Sequence, residues 1–179
     1  MKRVGATTGK GKGLIRALVR RGSLQSKTKH VADEEHIRDH SVCERCGSVY
    51  EKRTWRKGRQ LVAALATGPT WVVCPACRQV SRDEYFGRIR LRGLAGAEEE
   101  ALVRRRIRNV ASRAEFTQPE RRVVSIEAVD GELEVLTTSQ KLAHRIGQQI
   151  EKLLGGRVRY HWDEEDGCLL GTWERGAAR

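Results

Sequence analysis

The chain has 179 residues, with 35 Lys+Arg against 23 Asp+Glu, a formal charge of +12 and a pI near 10.0, a balance that suits a polyanionic partner. At 39% hydrophobic and 5% aromatic it can bury a modest core. No apolar run approaches the roughly 18 residues of a membrane span, and the Gly/Thr/Lys-rich stretch behind Lys2 and Arg3 lacks the apolar segment of a secretory signal, so a soluble, cytoplasmic protein with no membrane partner is expected. Of five cysteines, four fall in two Cys-x-x-Cys pairs, which fits metal ligation in a reducing compartment better than a disulfide framework.

The positive charge is unevenly placed. Residues 1–40 carry +6, residues 41–93 carry +7 and residues 94–179 carry −1. The first 30 residues hold nine Lys/Arg, no acid, and Gly5, Gly9, Gly11 and Gly13; such a segment buries too little apolar surface to offset its ordering entropy, and a flexible basic arm is expected over 1–40. Leu14, Ile15, Leu18 and Val19, among Arg16, Arg20 and Arg21, can form a short basic helix on a phosphate backbone or an anionic lipid surface. Lys10, Lys12, Arg16, Arg20 and Arg21 are the arm's candidate nucleic-acid contacts. A nucleotide-binding loop is ruled out, because only three residues separate Gly5 from Gly9 and Lys10 is followed by Gly11 rather than Ser or Thr.

Residues 41–93 read as a zinc ribbon. Cys43-Glu-Arg-Cys46-Gly47 and Cys74-Pro-Ala-Cys77 are two knuckles, each turning two thiolates toward one ion, with Gly47 supplying a positive φ. Four soft thiolates make a closed tetrahedral site suited to structural Zn2+, and spacing alone leaves iron open. Val49 to Trp55 and Thr70 to Val73 read as strands, with 59–67 a short helix or ordered loop between them. Trp71 is expected in the core; Trp55 is left open between core and base stacking. Lys52, Arg53, Arg56, Lys57 and Arg59 follow the first knuckle. Arg88, Arg90 and Arg92 alternate with Ile89 and Leu91, so they share one face of a strand and can track phosphates.

Residues 94–179 read as a small αββαββ domain. Glu98-Glu99-Glu100 open a helix at the positive end of its dipole, and Leu102, Val103, Ile107, Val110 and Ala114 form its apolar stripe. Arg104, Arg105, Arg108 and Arg113 lie opposite, as a solvated face or a second nucleic-acid contact. Val123–Val129 and Leu133–Thr137 flank the hairpin pair Asp130-Gly131. A second helix is capped by Thr138 or Ser139 and closed by Gly155-Gly156, and a last hairpin spans 158–173. A four-stranded antiparallel sheet with both helices on one face is expected, α+β in class. His144, His161, Cys168 and the acidic residues 163–166 assemble no nucleophile, base and orienting acid, so no catalytic residue is assigned.

Cys43-x-x-Cys46-Gly47, Cys74-Pro-x-Cys77, Gly87-x-Ile-x-Leu-x-Gly93 and Leu136-Thr-Thr-Ser-x-x-Leu142-Ala-x-x-Ile146-Gly147 together resemble the zinc-ribbon family of the large-subunit ribosomal export adaptor and its archaeal and bacterial relatives, over about residues 41–175. The resemblance implies zinc at Cys43, Cys46, Cys74 and Cys77, association with ribosomal RNA, the large subunit or its ribosomal proteins, and an effect on ribosome stability, assembly or translation. A single set of four cysteine ligands and the short length fit a compact prokaryotic-type member. The expectation is a non-enzymatic RNA- or ribosome-binding zinc protein; the alternatives are a zinc-ribbon DNA-binding transcription regulator and a thiol-based zinc stress sensor.

Overall fold

The computed structural model describes residues 37–58, 60–66 and 68–176. These form an α+β unit with two sheets and four helices. None of the described helices is long and apolar enough to cross a membrane. The arm expected over 1–40 falls outside the described residues up to position 36.

The first sheet is built around the cysteines. Strands β1 (Val42–Cys43), β2 (Val49–Glu51), β3 (Thr54–Arg56) and β4 (Trp71–Val72) run in the order β3-β2-β1-β4. The span 49–55 expected as one strand is a hairpin: Tyr50 pairs with Trp55, and Lys52 and Arg53 turn between them at φ 49° and 61°. Positive φ at both central positions is the two-residue turn whose twist matches the flanking strands, although non-glycine residues adopt it at some cost. Helix α1 (Gln60–Ala66) then carries the chain back, so β4 lies parallel to β1. A parallel return needs such a crossover. Leu61 and Ala64 of α1 pack on Val42 and Val49.

Trp55 is buried at 2% exposure beside Tyr50, with ring centroids 5.3 Å apart. Trp71, expected in the core, is 56% exposed. It occupies a two-residue strand whose inward neighbours are cysteines, and the small core around them is already filled by Trp55.

Helix α2 (Pro75–Ser81) leads on to β5 (Gly87–Arg92), which belongs to the second sheet rather than to the cysteine module. Helix α3 (Ala97–Thr117), β6 (Val123–Val129), β7 (Glu132–Thr137), α4 (Gln140–Leu154), β8 (Arg157–Asp163) and β9 (Cys168–Glu174) complete it. The order is β6-β7-β5-β9-β8, with β5 antiparallel to β7 and parallel to β9. The expected four-stranded antiparallel sheet is therefore five-stranded and mixed. Both β7 and β9 present open edges toward the centre, and the apolar alternation of Ile89 and Leu91 fills the gap between them.

Ile89, Leu91, Leu133, Val135, Val158 and Trp173 face one side of this sheet, where they meet Val103, Ile107 and Val110 of α3 and Leu142, Ile146 and Ile150 of α4. Fully burying one such aliphatic side chain contributes about 1.5–3 kcal/mol, which makes this the dominant core. Ser139 caps α4 by accepting from Leu142 N at 3.3 Å, and Gly155 ends it at φ 70°. Helix α4 sits so close to β5 that a Cβ on Gly87 would stand 2.5 Å from Ala143 Cβ and 2.6 Å from Thr137 Oγ1.

Candidate metal centre

Cys43 ends β1, and the chain reverses at once. Gly47 N donates to Cys43 O at 2.8 Å, Cys43 N donates to Ser48 O at 2.8 Å, and Gly47 takes φ 67°. This tight loop returns Cys46 beneath Cys43. The second pair is made differently, because Cys74 is the N-cap of α2 and Pro75 sits at the first helical position, where its missing N–H costs nothing. Cys77 lies one helical turn on and its N–H donates to Cys74 Sγ at 3.4 Å. The parallel pairing of β1 with β4 brings the two loops together, and Cys74 N donates to Cys43 Sγ at 3.3 Å.

All four sulfurs lie within 4.8 Å of one another, with Cys43–Cys77 and Cys46–Cys74 each at 3.8 Å, and none is disulfide-bonded. A tetrahedron with metal–sulfur bonds of about 2.3 Å has edges of about 3.8 Å. The donor set thus fits one four-coordinate thiophilic ion. Cys43, Cys74 and Cys77 are buried and Cys46 is half-buried. An ion bound by all four sulfurs would have its tetrahedral positions filled by the protein and would cross-link the two loops.

Four clustered thiolates, three of them buried, need compensation. The Cys46 thiol is held far below its ordinary value, first by its contact with Cys74 Sγ, against the cost of burial, with Ser48 and Arg122 adding to the effect. Cys74 is pushed up by the same contact and by burial, and Cys77 by burial against the pull of Arg122. The Cys46 thiolate forms readily; Cys74 and Cys77 hold their protons until a cation shares the space.

Arg122, just ahead of β6, completes the surroundings of the cluster. Its Nη1 donates to Cys77 Sγ at 3.1 Å and its Nε to Pro119 O at 2.8 Å, while Nη2 lies 3.8 Å from Glu115. Burial opposes the guanidinium charge, but the facing sulfurs of Cys46, Cys77 and Cys74 outweigh it and raise its already high pKa further. Sequence reasoning misses this residue, because nothing in the run Pro119-Glu120-Arg121-Arg122 marks which arginine turns toward the cysteines.

The remaining candidate residues scatter. Lys10, Lys12, Arg16, Arg20, Arg21 and Arg59 lie outside the described residues. Lys52 and Arg53 are exposed at the β2–β3 turn, Arg56 is exposed on β3, and Lys57 pairs with Glu115. On β5, Arg90 pairs with Glu134 at 3.1 Å and Arg92 with Glu132 at 2.7 Å and Glu174 at 3.7 Å, while Arg88 is partly buried. The shared strand face is as expected, but the neighbouring strands place acids beside two of its three cations. His144 packs on Tyr160 with ring centroids 4.9 Å apart, and Cys168 Sγ faces Tyr85 O at 3.4 Å.

No protein-family model matches the chain, and neither curated proteins nor solved structures provide a match.

Proposed function

We propose that the chain is a zinc-stabilised RNA-binding protein of the cytoplasm that associates with ribosomal particles, the large subunit above all, and acts by binding rather than by catalysis. The observation that carries this reading is the four-sulfur cluster. Its geometry suits Zn2+ held by Cys43, Cys46, Cys74 and Cys77 with the ligand shell complete. A metal so enclosed holds two loops of a small module in place. The surplus of cations, +12 over the chain, then has a preformed scaffold from which to meet phosphates. The family resemblance of the cysteine, glycine and threonine motifs supports the ribosome as the source of that RNA.

The test is sedimentation of the zinc-loaded chain with ribosomes at low and high salt, together with metal analysis. About one zinc per chain, cosedimentation with large subunits at low salt and release at high salt are expected, because each phosphate contact that forms releases counterions. A flat salt response, or binding to duplex DNA in preference to RNA in direct competition, overturns the proposal.

A further inference from the structure

We infer that the RNA-contacting surface of the described residues is the outer face of α3, centred on Arg105, Arg106, Arg108 and Arg113, rather than the arginine face of β5; this rests on the RNA-binding reading above. Helix α3 turns Val103, Ile107, Val110 and Ala114 into the core. At 3.6 residues per turn, that fixes Arg105, Arg106, Arg108, Asn109, Ser112, Arg113 and Phe116 on the outward arc, and all seven are exposed.

From Arg105 to Phe116 this arc carries four cations and no carboxylate; Glu98, exposed two turns before Arg105, is the acid that shares it. Three of the four acids on the same helix are engaged elsewhere: Glu99 with Arg175 and Ala95 N, Glu100 with Arg104 at 2.7 Å, and Glu115 with Lys57 and Arg122. Among the described residues, none of Arg105, Arg106, Arg108 and Arg113 has an ion-pair partner, in contrast to Arg90 and Arg92 on β5. A phosphate contact on α3 breaks no existing ion pair, whereas at Arg90 and Arg92 of β5 it requires breaking one already made.

All four cations are arginines, whose planar guanidinium binds phosphate oxygens in a bidentate manner. At the end of the row Phe116 stands 71% exposed, an aromatic that no core contact explains and that a splayed base can stack upon. A membrane surface suits the helix poorly, since its main apolar stripe is already spent on the core and the exposed side offers only Leu102 and Phe116 as large apolar side chains. An RNA with an unpaired loop beside a paired stem matches both halves of the row.

The experiment is fluorescence anisotropy of the zinc-loaded full chain with a labelled RNA hairpin bearing an unpaired loop, from about 0.05 to 0.3 M salt. The combined variant Arg105→Gln, Arg106→Gln, Arg108→Gln and Arg113→Gln should bind at least about tenfold more weakly at the lowest salt. The slope of log affinity against log salt should fall by about 3, close to one unit per lost phosphate contact. The same four positions changed to lysine should keep the slope while losing part of the affinity. Phe116→Ala should weaken binding to the looped hairpin about tenfold and leave a fully paired stem unaffected. Melting curves and zinc content confirm that the variants fold, since all five side chains are exposed. If the unaltered chain binds no RNA, the functional reading falls and this surface with it. If it binds and the glutamine variant binds equally well, or if that variant loses affinity for phosphatidylserine vesicles or polyglutamate as much as for RNA, the surface assignment alone is overturned.

Discussion

Arg122 Nη1 donates to Cys77 Sγ across 3.1 Å, so a charge that partly offsets the cysteine cluster comes from the segment leading into β6 of the other sheet. A tetrathiolate site holding a divalent ion carries −2, and the side chain that answers it is only 12% exposed. Arg122→Ala should therefore cost about 1.5–3 kcal/mol of unfolding free energy, the range for a hydrogen bond to a charged group. Urea melts of the metal-loaded protein measure this. The same variant should release its metal to a chelator faster, whereas Arg121→Ala should do neither.

The five-stranded sheet explains a second expectation. Arg90 lies directly opposite Glu134, and Glu134 is 6% exposed. Arg90→Gln should lower stability by about 1–3 kcal/mol, because it takes a charged partner from a buried carboxylate. It should change RNA affinity by less than about twofold. A variant of normal stability and much reduced RNA affinity would reverse the roles assigned to β5 and α3.

Gly87 tests the packing of α4 on β5. A methyl group there would meet Ala143 Cβ and Thr137 Oγ1, neither of them the end of a long flexible chain. Gly87→Ala should destabilise by about 1–3 kcal/mol, as overpacking does. Ala143→Gly in the same molecule should recover part of the loss in a double-mutant cycle, net of its own helix cost of about 1 kcal/mol.

Tyr160 sets an alkaline limit. Burial, aided by the nearby Glu151 carboxylate, pushes its phenol from 10.0 up to about 12, and its hydroxyl donates to His144 O at 3.2 Å. The folded state thus keeps the proton longer than the unfolded chain. The stabilisation is fully present below pH 10 and is lost as pH rises from 10 towards 12. Urea melts at about pH 9 and about pH 11, on either side of the ordinary phenol value, should show a fall that Tyr160→Phe flattens.

Much of this was legible in the chain. The two Cys-x-x-Cys loops are defined by ligand chemistry, which tolerates few other spacings, and all four cysteines meet. Asp130-Gly131 marks a turn because it requires positive φ at both positions, and both have it, at 53° and 80°. The stripe of α4 is equally plain, since Leu142, Ile146 and Ile150 repeat with the helix. The partnership of β5 was not legible: a two-residue alternation states which face is buried but not which strands lie alongside. For the same reason Arg88, Arg90 and Arg92 read as a free cationic face, the acids that meet Arg90 and Arg92 lying 40 or more residues further on. Trp55 and Trp71 illustrate the complementary limit. Both sit in short strands next to cysteines, and only the arrangement of the sheet decides that one is enclosed and the other is not.

The central place of β5 also bears on how the chain is made. Its neighbour β9 is the last of the described strands and lies between β5 and β8. During synthesis β5 therefore waits with one hydrogen-bonding edge open until residue 174 has emerged. Over that interval Arg88, Arg90 and Arg92 line the waiting strand, and like charges on an open edge discourage pairing with another nascent copy. Arg90 and Arg92, which end as ion-pair partners, begin as guards against misassembly.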